Sequence, residues 1–266
     1  SMEQARVWYG RAAEQGHAKA QYTLAIMHEK GEGGPVSMEQ ARVWYGRAAE
    51  QGHAQAQYRL ALMHEDGLGG PVSMEKARVW WGRAAEQGYA HAQYRLAIMH
   101  EKGKGGPVSM EKARVLHERA AEQGVVSAQY NLAQMHANGE GGPVSMEQAR
   151  VWYERAAEQG LAQAQYSLGV MHYNGEGGPV SMEQARVWYE RAAEQGLAQA
   201  QYSLGVMHYN GEGGPVSMEQ ARVWFERAAK QGHTSAQRNL ALMHLKGLLP
   251  RHSIVRKPSS GRPTRR

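Results

Sequence analysis

Residues 31–40 read GEGGPVSMEQ, a glycine and proline loop that leads into the start of a helix. The Gly-Gly-Pro-Val-Ser core of this stretch returns every 36 residues without insertion or deletion. Its prolines are Pro35, Pro71, Pro107, Pro143, Pro179 and Pro215. A fixed period of roughly 20–50 residues is typical of a solenoid, in which stacked copies of one supersecondary unit share a continuous core.

Each repeat predicts two helices. Ser37 stands where an N-cap belongs, and Gln40 follows three residues later, at the spacing of a capping box. Apolar residues then recur at steps of three and four, so we expect a first helix over residues 38–51 and a second over 54–66. Gly52 suits the left-handed position that follows a helix. The predicted fold class is all-α, an α/α superhelix or solenoid of seven 36-residue helix-turn-helix repeats.

We assign residues 1–249 to the repeat array and residues 250–266 to a basic, flexible C-terminal tail. The repeats are 1–36, 37–72, 73–108, 109–144, 145–180, 181–216 and 217–249. The fifth and sixth are identical in every residue, which indicates a recent tandem duplication or a deliberate consensus design. In the last repeat Arg238 replaces a tyrosine, and such a polar change is typical of a terminal capping unit.

The composition excludes several classes of function. Cysteine is absent, which excludes disulfides and thiolate chemistry and leaves the compartment open. No run of 18 apolar residues occurs, so we expect no membrane span. The net charge is +6, but six of the 31 basic residues lie in the tail, and the other 25 equal the acids in number. The repeat array is therefore formally neutral.

Residues 164–177, AQYSLGVMHYNGEG, and residues 183–196, EQARVWYERAAEQG, resemble the Sel1-like repeat, a relative of the tetratricopeptide repeat. The resemblance covers about residues 1–248, although this chain has histidine after the methionine where the family usually has tyrosine. In the family's phasing a unit begins at the Leu-Gly helix. The resemblance implies a right-handed superhelix with a concave groove. It also implies an adaptor or scaffold role in signalling, secretion or envelope processes, mostly in bacteria, without catalysis.

Comparison of the repeats with one another separates the frame from the positions that vary. The variable positions are those headed by Lys19, Thr23, Ile26, Glu29 and Lys30 on the Leu-Gly helix, and they match the tetratricopeptide positions that face the groove. We expect a charged section that selects partner charge and a tyrosine–asparagine section that grips an extended peptide. The alternative is that the two tyrosines are a duplicated accident on a solvated face. The candidate peptide-binding residues are Arg59, Glu65, Arg95, Glu101, Ser167, Tyr173, Asn174, Ser203, Tyr209 and Asn210.

Other recurring features have structural explanations. Each second helix supplies one recurring histidine, such as His28, whereas zinc needs three or four ligands. We therefore expect these histidines to be packing residues and expect no metal. Protonation near pH 6 would loosen the stack if these rings are buried in the neutral form. The glycine loop lacks the preceding strand and the following lysine of a phosphate-binding loop. Arg42 and Arg47 are expected to be solvated charges on the helix surface. No catalytic arrangement stands apart from the repeat, so we expect no enzyme activity and no cofactor.

The tail supports a different function. Its six cations would bind an anion, a nucleic acid or an anionic membrane surface, but the lack of interleaved aromatic residues argues against nucleic-acid binding. They are Arg251, Arg256, Lys257, Arg262, Arg265 and Arg266. We also expect self-association between the tail and a groove. Our main prediction is a non-catalytic scaffold that binds a protein or peptide. The alternatives are anion binding through the tail and an engineered consensus array.

Overall fold

The computed structural model describes residues 1–247, and these form fourteen α-helices and no strand. In chain order the helices are α1 (Met2–Glu14), α2 (Ala18–Lys30), α3 (Met38–Glu50), α4 (Ala54–Asp66), α5 (Met74–Glu86), α6 (Ala90–Lys102), α7 (Met110–Glu122), α8 (Val126–Asn138), α9 (Met146–Glu158), α10 (Ala162–Asn174), α11 (Met182–Glu194), α12 (Ala198–Asn210), α13 (Met218–Lys230) and α14 (Thr234–Leu245). Odd-numbered helices are the first and even-numbered helices the second of each pair. This pairing confirms the predicted all-α class, which is that of a repeat solenoid.

The helix ends form largely as the sequence predicts, but the capping box is not completed at Ser37, whose backbone N–H donates to the carbonyl oxygen of His28 at 2.9 Å. The hydroxyl oxygen of Ser37 accepts a hydrogen bond from the backbone N–H of Gln40 at 3.3 Å, which caps α3. That helix ends at Glu50, and Gly52 follows with a φ of +85°. Because this left-handed conformation is costly for residues with a Cβ, the turn into α4 favours glycine.

The glycine and proline loop lies against the first helix of its own repeat. A Cβ added to Gly33 would clash with the Met2 carbonyl oxygen at the start of α1. The Arg6 guanidinium of α1 donates to the carbonyl oxygens of Glu32 and Pro35, each at 3.4 Å. These contacts explain why the glycines and the arginine recur with the loop.

The core of a repeat is the apolar stripe that the sequence predicts. In α3 and α4 all of its members are buried. They are Ala41, Trp44, Tyr45, Ala48, Ala49, Ala56, Leu60, Ala61, Met63 and His64. The alanines let neighbouring helices approach closely, and the large side chains fill the space between them.

The described helices form two compact units. The first unit comprises residues 1–164 and 175–179, and the second comprises 165–174 together with the residues from 180 onward. In each unit the second helix of one repeat packs against the first helix of the next, as α4 does on α5 and α12 on α13.

Glutamine side chains link successive repeats within each unit. Gln51 donates to the side-chain oxygen of Gln21 at 2.6 Å, and Gln21 donates to the carbonyl oxygen of Ala13 at 3.0 Å. The second unit repeats the first of these bonds between Gln195 and Gln165 at 2.7 Å. Because each donor finds a partner, these partly buried amides stabilise the stacking.

Candidate peptide-binding surface

The candidate residues lie on second helices, namely α4, α6, α10 and α12, and none of them is buried. Arg95, Asn174 and Asn210 are exposed, and the other candidates are half-buried. The positions that vary between repeats therefore belong to a surface that a partner can reach.

In the charged section, which belongs to the first unit, several charges already have partners in the chain. Arg59 lies 3.7 Å from Glu29, which also accepts a hydrogen bond from the Tyr45 hydroxyl at 2.5 Å. Burial, followed by the hydrogen bond with Glu29, raises the pKa of Tyr45. The remaining two acids of the section are likewise engaged. Glu65 lies 3.8 Å from the Lys104 ammonium, and Glu101 lies 2.7 Å from Nε2 of His117.

In the second unit, candidate residues line two neighbouring pockets. The first, which we call the acidic tyrosine pocket, has a volume of about 190 Å³. It is lined by Tyr173, Tyr189, Tyr202, Ser203, Val206, Met207 and Glu212. The second, which we call the terminal pocket, has a volume of about 310 Å³. It is lined by Tyr202, Val206, Tyr209, Asn210, Phe225, Asn239, Leu242, Met243 and Lys246. The pockets share Tyr202 and Val206, so they are adjacent. Ser167 and Asn174 line neither of them.

Two helical glycines shape these pockets. A Cβ added to Gly205 would lie 2.7 Å from the Phe225 ring, and one added to Gly169 would lie 2.7 Å from the Tyr189 ring. The equivalent residues in the first unit, such as Ala61, are buried alanines. Glycine at these two positions thus lets the ring of the next repeat approach the helix more closely than a Cβ would allow. In the first unit the equivalent rings of Tyr45 and Trp81 are buried in clusters with alanine at this position. The change from alanine to glycine is visible in the sequence and accompanies the appearance of Tyr173 and Tyr209, but our sequence analysis did not use it.

The electrostatics of the two pockets differ. In the acidic tyrosine pocket, Asn210 donates to Oε1 of Glu212 at 3.0 Å, while Oε2 is buried. Burial, and then the negative charge of Glu212 and its hydrogen bond with the Tyr173 hydroxyl, raise the pKa of Tyr173, so this hydroxyl stays neutral. The terminal pocket instead carries the exposed cation of Lys246.

The prediction of a solvated charge is wrong for Arg42, whereas Arg47 is exposed as expected. Arg42 donates to Nδ1 of His64 at 2.5 Å and to the carbonyl oxygens of Leu68 at 3.2 Å and Pro71 at 3.3 Å. The Arg47 guanidinium stacks on the Trp44 ring, 4.5 Å from its centroid. Both arginines are therefore engaged with their own repeat, and Arg42 anchors the loop.

The histidine that follows the methionine of each second helix, such as His64, accepts a hydrogen bond from arginine in most repeats. The Arg–His distances are 2.6 Å at His28, 2.5 Å at His64, 2.7 Å at His100, 2.7 Å at His136 and 2.9 Å at His208. Arginine only donates, so the accepting nitrogen carries no proton. Burial, and then the neighbouring Arg42 charge, lowers the pKa of His64 to about 4. Among residues 1–247 no cluster of three or more potential metal ligands occurs.

A further row of pockets lies on the first helices of the first unit. Three pockets, with volumes of about 430, 730 and 390 Å³, occupy equivalent places in successive repeats. Each includes a mid-helix glycine, and a Cβ added to it would meet nothing within 4 Å. These glycines are Gly10, Gly46 and Gly82, and the equivalent residues of later repeats are Glu118, Glu154, Glu190 and Glu226. Glycine in a helix interior costs about 0.5–1 kcal/mol relative to alanine. Its recurrence in three successive helices is the sequence feature that could have indicated these pockets.

Two other predictions concern membranes and the tail. No helix in the described part of the chain is long and apolar enough to cross a membrane. The basic residues from Arg251 to Arg266, and the contact expected between the tail and a groove, lie outside the described residues.

Comparison with known proteins finds one family and several solved structures. The profile of the Sel1 repeat matches residues 1–17, 18–53, 54–89, 90–125, 126–161, 162–197, 198–233 and 234–255. A protective antigen of uropathogenic Escherichia coli with an SLR fold is 33% identical, with a TM-score of 0.84 over 92% of this chain. A Sel1 repeat protein from Oxalobacter formigenes is 34% identical, with a TM-score of 0.72 over 94% of this chain. The chain spans 53% of the first protein and 70% of the second. No curated protein sequence matches it.

Proposed function

Because the chain belongs to the Sel1 repeat family, whose members are generally non-catalytic protein-interaction scaffolds, we propose that it binds an extended peptide segment of a partner protein. The peptide lies along the second helices, and the two pockets of the second unit hold its side chains. The observation that carries this proposal is the pair of adjacent pockets in successive repeats, which include four of the candidate residues.

The size and lining of the pockets favour a peptide over a small molecule. The acidic tyrosine pocket, at about 190 Å³, is smaller than the ~300–1,000 Å³ typical of small-ligand sites and suits a single side chain. Tyrosine supplies a large contact area at a low entropic cost. Asn210 and Asn239 supply amide donors and acceptors for the peptide backbone. An extended segment with neighbouring side chains in the two pockets satisfies these features together.

The charged section of the first unit selects the charge of a partner in this proposal. Arg95 is exposed and available to an acidic partner residue. Arg59, Glu65 and Glu101 lie in pairs within the chain, and a partner charge competes with those pairs. The Arg59–Glu29 pair is the most exposed of the three, and such pairs contribute only ~0–1 kcal/mol, so an exchange there requires little free energy. The partner of Glu101, His117, is buried, so that pair is the hardest to exchange.

The experiment is selection from a displayed library of random twelve-residue peptides on the immobilised full chain. Selected peptides are then measured by fluorescence polarisation against the double variant Tyr173→Ala, Tyr209→Ala. We expect binding to weaken at least tenfold, because both pockets lose an aromatic wall. The matched control is Val187→Ala, which shortens an exposed side chain on α11. Circular dichroism melts verify that each variant folds.

Unchanged affinity of the double variant would overturn the proposal. A chain ending at Leu249 tests the alternative of anion binding through the tail. Tail-driven binding is lost in that chain and falls steeply with salt, whereas binding in the pockets survives truncation and responds weakly. An engineered consensus array without a natural partner yields no peptide whose binding depends on the two tyrosines.

A further inference from the structure

We propose that the acidic tyrosine pocket binds one basic side chain, a lysine or an arginine, of the peptide. This inference rests on the proposed function and specifies the chemistry that one of its pockets recognises. The ligand is a cationic nitrogen on a flexible stem, which contacts the Glu212 carboxylate and the rings of Tyr173, Tyr189 and Tyr202.

The carboxylate of Glu212 lacks a cation. Its Oε1 accepts a hydrogen bond from Asn210, its Oε2 is buried, and the Tyr173 hydroxyl beside it is also a neutral donor. No lysine, arginine or histidine of residues 1–247 lies within 4.0 Å of it as an ion-pair partner. A carboxylate removed from water without sufficient donors is costly, and a cationic donor relieves that cost. The same charge disfavours an acidic side chain in this pocket.

The aromatic lining points to the same ligand. The face of a tyrosine ring attracts a cation, and more strongly where water is excluded. Three tyrosines line this pocket, and Val206 and Met207 give it an apolar wall along which a lysine or arginine stem packs. A purely apolar side chain would fill the volume but would leave the carboxylate without a cation.

One equivalent pair of positions in the first unit carries its own cation. Glu65 and Lys104 stand where the second unit has Tyr173 and Glu212, and their charged groups lie 3.8 Å apart. The chain therefore supplies both charges there. In the second unit it supplies the acid alone and replaces the other charge with an aromatic ring, so the cation must come from the ligand.

The test uses the peptides selected on the full chain. We expect them to share a lysine or arginine, and two synthetic forms of each binder, with lysine or arginine at that site, distinguish the preferred cation. A third form carries norleucine, which keeps the stem and removes the charge. We expect Glu212→Gln to weaken binding of the lysine and arginine forms about tenfold and to leave binding of the norleucine form unchanged. Only the basic forms lose a contact between a cation and a carboxylate.

The matched control is Glu176→Gln, which changes the equivalent loop glutamate of the identical preceding repeat. Its affinity for the basic peptides is expected to stay within twofold of the unmodified chain, and thermal melts verify that both variants fold. If tyrosine-dependent binders lack a basic residue, or if Glu212→Gln binds lysine and norleucine forms as the unmodified chain does, the inference is wrong and the proposed function stands. Binding that is independent of Tyr173 and Tyr209 instead removes the proposed function itself.

Discussion

The first three repeats and the two identical repeats share the same helix packing but have pockets on different helices. In the first three repeats the pockets lie on the first helices, and in the identical repeats the candidate residues on the second helices line pockets. In residues 1–108 the first helices carry a mid-helix glycine and the second helices carry a glutamate, as in Gly46 and Glu65. In residues 145–216 the first helices carry glutamate and the second helices carry tyrosine, as in Glu190 and Tyr209. In the identical repeats the glutamate is therefore on the first helix, and tyrosine occupies the second-helix position that has glutamate in the first three repeats.

This exchange shows how a repeat protein changes its surface without changing its packing. The glutamine bonds and the Ser caps recur in both groups of repeats, so the frame is common to them. Three positions per repeat decide which face has pockets. Glycine opens the first-helix face, whereas tyrosine with a helical glycine such as Gly205 opens the second-helix face.

The largest expected effect on this frame comes from acid, because it acts on every Arg–His contact at once. The pKa of His28, His64, His100, His136 and His208 is lowered by burial and then by the neighbouring arginine. Between the unfolded value near 6.5 and the folded value, which is about 4 for His64, the unfolded chain binds more protons. Stability is therefore fully present above about pH 6.5 and falls progressively towards pH 4.

Urea unfolding at pH 7 and at pH 4.5 measures this dependence. His64→Asn is expected to reduce it, since the substituted side chain does not titrate, whereas His91→Asn changes an exposed histidine and leaves it unaltered. A midpoint that varies with pH equally in all three proteins would contradict a role for the Arg–His contacts.

The sequence predicts the features that depend on neighbours within one helix. The Ser N-caps and the buried stripe follow from spacings of three and four residues, and both were confirmed. The 36-residue period is visible directly in the sequence. The role of Arg42 was not predictable in this way, because its partners His64 and Leu68 lie 22 and 26 residues further along the chain. The sequence interpretation grouped Arg42 instead with Glu39, an acid three residues away on the same helix.

The candidate surface was likewise predictable only in part. Variation between repeats indicated Tyr173 and Tyr209, because positions released from packing are free to change. Glu212 was missed although the equivalent loop residues, including Leu68 and Lys104, also vary, because we compared only helix positions. The pockets themselves depend on contacts between repeats, such as that of Gly205 with Phe225, which no single helix pattern contains.

Removal of a loop-anchoring arginine is the next effect in size, and it differs between the units. Arg42 makes contacts with His64 and two loop carbonyls, so Arg42→Ala is expected to cost about 3 kcal/mol. Arg186 contacts only His208 within the described residues, and its Nη1 is buried without a partner. Arg186→Ala is therefore expected to cost less, about 1–2 kcal/mol.

Urea unfolding with hydrogen exchange at the affected loop measures both losses. Arg47→Ala is the control, since it removes a stacking contact with Trp44 and is expected to cost about 0.5–1 kcal/mol. Equal losses at Arg42 and Arg186 would mean that the loop carbonyls contribute nothing to the anchor.

The last comparison separates the two kinds of helical glycine, and at Gly46 it gives the smallest expected effect. At Gly205 an added Cβ lies 2.7 Å from the Phe225 ring, so Gly205→Ala forces that ring to shift and is expected to cost about 1–3 kcal/mol. At Gly46 an added Cβ meets nothing within 4 Å, so Gly46→Ala is expected to stabilise the fold by about 0.5–1 kcal/mol. Thermal melts of the two variants give opposite signs if helical glycine serves aromatic packing in one unit and an open surface in the other. Stabilisation by both substitutions would mean that the Phe225 ring moves freely, and the terminal pocket would then owe nothing to Gly205.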